Sequence, residues 1–312
     1  MTTVDDMLYH LGGVPVMGPG IPFSGRSRAF FVDPAYGDDT FNGDTPDQAK
    51  STLAAAFDLT TSGYNDTIFF LGSTTADTLA AALTWDHNFT HLIGVTNGLP
   101  GLGSRCRAIG GSTTDLTVVI TVSAQGCLFR NVKIANESNA DEDGGALVVS
   151  GNRNAFYNCE IAGMLHATPA TRAGSYSLAV SGAENYFNNC YIGADTITRA
   201  AANAELVMSG SKNRFDSCTF ASQSDTAGHF AVKVSGAGTN YWKDCLFHNM
   251  SVNWATSLTD AFNITASSTH YIILQWPYQF VGYTGVADVV THAYVNGPTP
   301  SVTSGLSTVE TT

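Results

Sequence analysis

Charge is scarce in this chain of 312 residues, and positive charge most of all. Lysine and arginine number 14 against 26 aspartates and glutamates, a formal charge of −12. Charged residues make up 13%, about half of the usual quarter. A phosphate-binding face needs clustered Lys and Arg; here they stand singly, so no nucleic-acid partner is expected. An anionic membrane surface is disfavoured for the same reason, and no apolar run is long enough to span a bilayer. The start, Met1-Thr-Thr-Val-Asp-Asp6, is acidic and lacks a basic n-region, so no Sec-type leader is expected and synthesis in a cytoplasm is. CxxC pairs, an HExxH motif around His87 and His91, a Gly-x-Ser-x-Gly elbow and a phosphate loop are all missing. No metal and no cofactor is therefore expected. Apolar residues still reach 44%, which excludes disorder over most of the length.

What the chain does have is a repeat. Leu147–Ile161, Leu178–Ile192 and Leu206–Phe220 align without gaps, and Val232–Phe247 aligns with one extra residue in its turn. A looser copy, Ile120–Ile134, precedes them, and a degenerate one, Phe262–Tyr271, follows. The turn hydroxyl recurs at Ser123, Ser150, Ser181, Ser209, Ser235 and Thr265, in steps of 27, 31, 28, 26 and 30 residues. Each copy holds a short alternating apolar strand, a turn and a second alternating strand. One copy cannot bury its apolar face, but stacked copies can. The pattern predicts an all-β chain, a right-handed parallel β-helix (a solenoid) with roughly one coil per repeat and seven to nine coils in all.

Stacking predicts ladders of like residues. One runs through Phe129, Phe156, Phe187, Phe215 and Trp242, a second through Ile134, Ile161, Ile192, Phe220 and Phe247. A third holds Val132, Cys159, Cys190, Cys218 and Cys245, a site that wants a small apolar group. Its parallel Cβ vectors do not suit disulfides, so the thiols are expected to be reduced core groups. A fourth, Asn154, Asn185, Asn213 and Asn240, is expected to bond amide to amide along the axis. The Ser-Gly pairs recur in every coil and are read as turns.

Four sections follow from this pattern. Residues 1–28 are Gly/Pro-punctuated and read as an extended arm; its apolar side chains Met7, Leu8, Leu11, Val14, Val16, Met17, Ile21 and Phe23 favour a partner surface. Residues 29–72 form a strand-and-helix cap, 73–295 the coils, and 296–312 a Ser/Thr-rich tail that is flexible or extended. The last coil is expected near Tyr271–Phe280. In the cap, Phe30-Phe-Val-Asp leads into Gly37-Asp-Asp-Thr-Phe-Asn-Gly43, then Pro46, a short helix from about Thr52, and the strand Asp66-Thr-Ile-Phe-Phe-Leu71. A helix there covers the open end of the coils, whose bare strand edges would otherwise invite aggregation.

This opening resembles that of pectate-lyase-like β-helix proteins and of phage tail-spike and virion proteins, closely over residues 30–72 and in architecture to about residue 295. The resemblance implies a homotrimeric structural protein of a virion: a capsid decoration (cement) protein, anchored by its arm on the major capsid protein. The alternative it implies is a tail spike that binds or depolymerises a host surface glycan. Fold alone does not choose between them.

Residues that carry chemistry are thin. Asp33, Asp38, Asp39, Asn42 and Asp44 do not match a calcium loop and read as turn residues. Glycan hydrolysis would need two facing carboxylates; Asp141, Glu142 and Asp143, with Asp195 a coil or two away, are the candidates. Glu160, Glu184, Asp195, Glu205, Asp216, Asp225 and Asp244 read mostly as single outward positions. Tyr157, Tyr186, Tyr191 and Tyr241 fall at or beside outward positions, where they could stack on sugars, although strand propensity alone also places aromatics there. The chain is expected to be structural rather than enzymatic.

Overall fold

The computed structural model describes residues 24–96, 105–251, 258–265 and 269–288, together with the short strands His10–Leu11, Val14–Pro15, Ala293–Asn296, Pro300–Val302 and Ser307–Val309. It is a right-handed parallel β-solenoid of about 7 turns with almost no helix. Each repeat contributes to three parallel sheets. Sheet I holds eight strands, from Leu83–Trp85 through Gly145–Val149, Leu178–Val180 and Ala204–Met208 to Tyr283–Ala287. Sheet II runs from Ala29–Val32 through Ala155–Tyr157, Tyr186–Asn188 and Arg214–Asp216. Sheet III runs from Asp77–Leu79 through Lys133–Asn136, Glu160–Ala162 and Tyr191–Ala194 to Thr219–Gln223. The long strands Ala237–Met250 and Thr269–Val281 span both II and III and join them. The chain passes Thr269–Val281 and adds Tyr283–Ala287 and Ala293–Asn296, so stacking continues beyond the expected last coil.

The register follows the repeat. Phe129, Phe156, Phe187, Phe215 and Trp242 pair in that order on sheet II. The four Phe rings lie parallel at 4.9, 4.6 and 4.7 Å between centroids. Ile134, Ile161, Ile192, Phe220 and Phe247 pair likewise on sheet III and continue into Phe280. All six cysteines are buried and free. Cys106 takes the slot one coil before Val132, because Lys133 pairs with Arg107 and Ile134 with Ala108. Burial pushes the Cys106 thiol up to about 12 and raises those of Cys159 and Cys218 well above their ordinary value.

The asparagine ladder differs from expectation. Its amides bond the neighbouring turn's backbone rather than chiefly one another. Asn213 Oδ1 accepts from Asn185 N at 2.9 Å, and Asn213 Nδ2 donates to the Gly182 carbonyl at 3.0 Å. Asn154, Asn185 and Asn240 repeat this pattern. One direct amide–amide bond is present, Asn185 Nδ2 to Asn213 Oδ1 at 3.1 Å. The reason is that a turn leaves main-chain donors and acceptors unpaired, and a buried one must find a partner. Cys127, left out of the thiol ladder, occupies the next slot of this one, where its amide N donates to Asn154 Oδ1 at 2.9 Å. Coils approach so closely at these turns that a Cβ on Gly182 would sit 1.9 Å from the Gly151 carbonyl oxygen, which explains the recurring Ser-Gly pair.

A short helix packs on the N-terminal end of the core. Helix α1 (Leu53–Phe57) starts at Thr52, whose hydroxyl accepts from Ala55 N. It lays Leu53, Ala56 and Phe57 on the end of the core. Asp39 accepts from Ser51 N and Thr52 N at the helix start. Asp77, buried at an inward position of sheet III, accepts from Leu53 N at 2.6 Å. Burial raises the Asp77 carboxyl to about 6. Of the arm, Met7, Leu8, Val16, Met17, Ile21 and Phe23 lie outside the described residues; Leu11 and Val14 pair as an antiparallel couple.

Candidate functional site

Side chains that alternate away from the core make the outer faces of the sheets. Sheet II carries the most chemistry on its outer face. Tyr157, Asn188, Asp216 and Lys243 pair in one row, and Tyr186, Arg214 and Tyr241 in the next. Tyr157 and Tyr186 meet edge to face at 5.7 Å. Tyr186 Oη donates to Asp216 Oδ2 at 2.9 Å, and Asn188 Nδ2 donates to Tyr186 Oη at 3.2 Å. Arg214 Nε reaches both Asp216 oxygens at 2.9 Å. Burial and then the Asp216 carboxylate push the Tyr186 phenol up to about 12. These half-buried tyrosines have a fixed ring orientation, which a stacking ligand needs.

On sheet III, Arg107, Lys133, Glu160 and Tyr191 pair in register across four coils. Lys133 Nζ contacts Glu160 Oε1 at 2.5 Å. Glu160 faces outward as expected but is 7% exposed, and its Oε2 has no partner. Tyr191 stands near Asp195 and Glu160, and burial followed by these charges pushes its phenol up to about 12.

The four candidate acids of the glycan-cleaving reading have different surroundings. Asp141 pairs with Arg172, one coil on. Asp143 Oδ1 accepts from Gly174 N at 3.1 Å, in the same loop stack. Glu142 is exposed. Asp195 is half-buried beside Tyr191. No hydrogen bond or ion pair joins Asp195 to residues 141–143 among the described residues. The turn acids behave as turn acids: Asp33 accepts from Ala35 N, Asp38 from Thr40 N, and Asn42 from Asp44 N.

Glu205 corrects the expectation of outward acids. It is fully buried, with Arg199 Nε at 2.7 Å and Ser177 Oγ at 2.5 Å. Arg199, also 0% exposed, donates further to the carbonyls of Met164, Ile197 and Ala194. Burial raises the Glu205 carboxyl, and Arg199 opposes that rise. The pair ties the connection 163–177 to the connection 195–203 and to the strand Ala204–Met208. Loops of unequal length hide this from the repeat, since nothing in their sequence sets which residue turns inward. A second outer ladder was also missed: Asn131, Asn158, Asn189, Ser217 and Asp244 turn the chain from sheet II to III with φ of 57, 54, 50, 54 and 53°. Its signal was present as a polar residue directly before each ladder Val or Cys.

Neither a protein-family model nor a curated protein matches the sequence. Solved structures do. A pectin methylesterase from Yersinia enterocolitica matches with TM-score 0.55 and 12% identity, covering 82% of this chain and 93% of that one. The carrot pectin methylesterase matches at 0.52 and 12%, over 91% of each chain. A pectin methylesterase in complex with a hexasaccharide matches at 0.54 and 14%, over 86% of this chain and 81% of that one. At such identities the likeness establishes the parallel β-helix fold, and that alone.

Proposed function

We propose that the chain is a structural component of a phage virion: a homotrimeric decoration protein, held on the head by the arm of residues 1–28 and seated on the major capsid protein. The observation that carries this reading is where the polar side chains go. Asp66 binds Arg28 N, Asp77 binds Leu53 N, Asp141 binds Arg172, Glu160 binds Lys133, Glu184 binds Arg153 and Lys212, Asp244 binds Ser217 Oγ, and Asp288 binds Ile264 N. Each of these bonds joins residues from different rungs or loops. Together with the four-membered asparagine ladder they stitch the coils into a stiff rod, which suits a mechanical role. The excess of acid keeps crowded copies apart in solution. Eight apolar side chains in the arm supply the surface that would seek a partner.

Immunogold labelling of intact particles with antibody against residues 145–250 tests the placement. Gold over the head is the expected result; gold confined to the tail overturns it, and particles without gold remove the virion assignment. Sedimentation of the purified protein should give three copies, and a monomer refutes the trimer.

A second reading, a tail spike that binds or cuts a host surface glycan, is favoured by the tyrosine, arginine and aspartate face of sheet II. The fold is also one that holds a hexasaccharide in a pectin methylesterase. Its enzymatic form requires Asp141, Glu142, Asp143 and Asp195 to act together. Loss of glycan cleavage in Asp141→Asn, Glu142→Gln and Asp143→Asn variants would support that form.

A further inference from the structure

One coil junction falls out of register and leaves a pocket edged by exposed polar and aromatic side chains. Between the two long strands the register shifts at Lys243/Cys245, where Gln275 pairs with Lys243 and Tyr278 with Cys245. Two residues, Trp276 and Pro277, stand opposite the single Asp244. The shift opens a pocket of about 140 Å³ lined by Asp244, Cys245, Leu246, Pro277, Tyr278 and Gln279. Trp276 flanks it, 49% exposed, with its ring held edge to face on Tyr278 at 5.8 Å. Asp244 Oδ2 accepts from Ser217 Oγ at 2.9 Å. Its Oδ1, the Gln279 amide and the Trp276 indole N–H have no hydrogen-bond partner among the described residues.

We propose that this junction is a sugar-binding site that takes a single pyranose unit of a glycan. A pyranose has an apolar C–H face and a rim of hydroxyls. An exposed indole offers the flat apolar platform, while a carboxylate oxygen and an amide at the pocket edge offer acceptors and a donor for the rim. The site rests on the glycan-binding reading above, and lies two coils beyond Tyr186.

Saturation-transfer NMR on the full-length protein, with methyl β-D-galactopyranoside, methyl α-D-glucopyranoside and N-acetylglucosamine as separate probes, tests it. At least one probe is expected to bind the wild type. Trp276→Ala is expected to weaken that binding roughly 30-fold or more, as truncation of an aromatic anchor does. Asp244→Asn and Gln279→Ala should each weaken it by a smaller factor. The exposed Trp276 side chain is outside the core, so an unchanged thermal melt will certify the fold of its variant. Binding that survives Trp276→Ala but disappears in Tyr186→Ala overturns this pocket and leaves the glycan reading standing on sheet II. Binding unchanged in both variants also overturns the pocket. No transfer to any probe removes the pocket, and the position of gold on particles then decides the wider reading separately.

Discussion

Asn213→Ala probes what holds the turns together. Asn213 is 0% exposed and Asn185 1%, so water has no ready access to replace what is lost. Removing the amide orphans the Asn185 N–H, which it accepts at 2.9 Å, and the Gly182 carbonyl, to which it donates at 3.0 Å. The Asn185 side chain loses one of its two acceptors and keeps the Gly151 carbonyl at 3.0 Å. A buried backbone group left without a partner costs about 1–3 kcal/mol, so the two together predict a loss of about 2–6 kcal/mol. Asn213→Asp is expected to be at least as damaging, because it keeps the acceptor, loses the donor and brings a charge into the core. Asn158→Ala is the control. Its amide lies on the outer ladder, bonded to Asn131 at 3.1 Å and Asn189 at 2.8 Å, where water can take over both bonds. What it loses is an asparagine at φ 54°, about 1–2 kcal/mol for placing alanine in that conformation.

Urea unfolding followed by circular dichroism gives the global loss, provided that the slope with denaturant is unchanged. Native-state hydrogen exchange gives the local one: the Asn185 amide should lose its protection in Asn213→Ala and keep it in Asn158→Ala. Were the amides bonded mainly to each other, Asn213→Ala would leave the backbone paired. A loss below about 1 kcal/mol, with the Asn185 amide still slow to exchange, refutes the backbone-stitching account.

Three further outcomes follow from the same geometry. Asp77 titrates at about 6 in the folded chain against 3.8 for the ordinary group, so the folded state holds the proton more tightly and stability falls as pH rises from about 4 to 6, by up to about 3 kcal/mol; Asp77→Asn should flatten that fall in melts from pH 4 to 8 and stabilise the protein at pH 7, and an unchanged profile refutes the assignment. Gly182→Ala drives a Cβ against the Gly151 carbonyl and should cost about 3 kcal/mol or more in the same urea assay, where a neutral result contradicts the close approach. The six buried thiols should resist Ellman's reagent at pH 8 until denaturant is added, and rapid reaction of any ladder cysteine in the folded protein would show that its coil opens.

How far the sequence reaches depends on whether a position repeats with the coil. Phe156, Ile161, Cys159 and Asn154 recur together in each copy, and a parallel stack demands that like sits on like, so core, register and free thiols are all legible in the sequence. Cys106 is not legible because the Gly-rich stretch at 97–104 that precedes it carries no copy of the strand-and-turn pattern by which the later coils align. The amide ladder was found but its partners were misjudged: periodicity says that four asparagines align, while only the turn geometry says that unpaired main-chain groups lie closer than the next amide. Arg199 lies in a loop whose length differs from coil to coil and Glu205 at the start of the strand Ala204–Met208 that follows it, so no neighbour in sequence records that the two turn inward and meet. The Trp276 pocket has the same origin, since it exists only because the two strands fall out of step at Asp244. The features that distinguish this solenoid from an idealised one therefore sit where the repeat fails. At one such departure the polar groups close on each other, as Arg199 and Glu205 do; at another, beside Trp276, exposed polar and aromatic groups are left facing outward, where a ligand has something to bind.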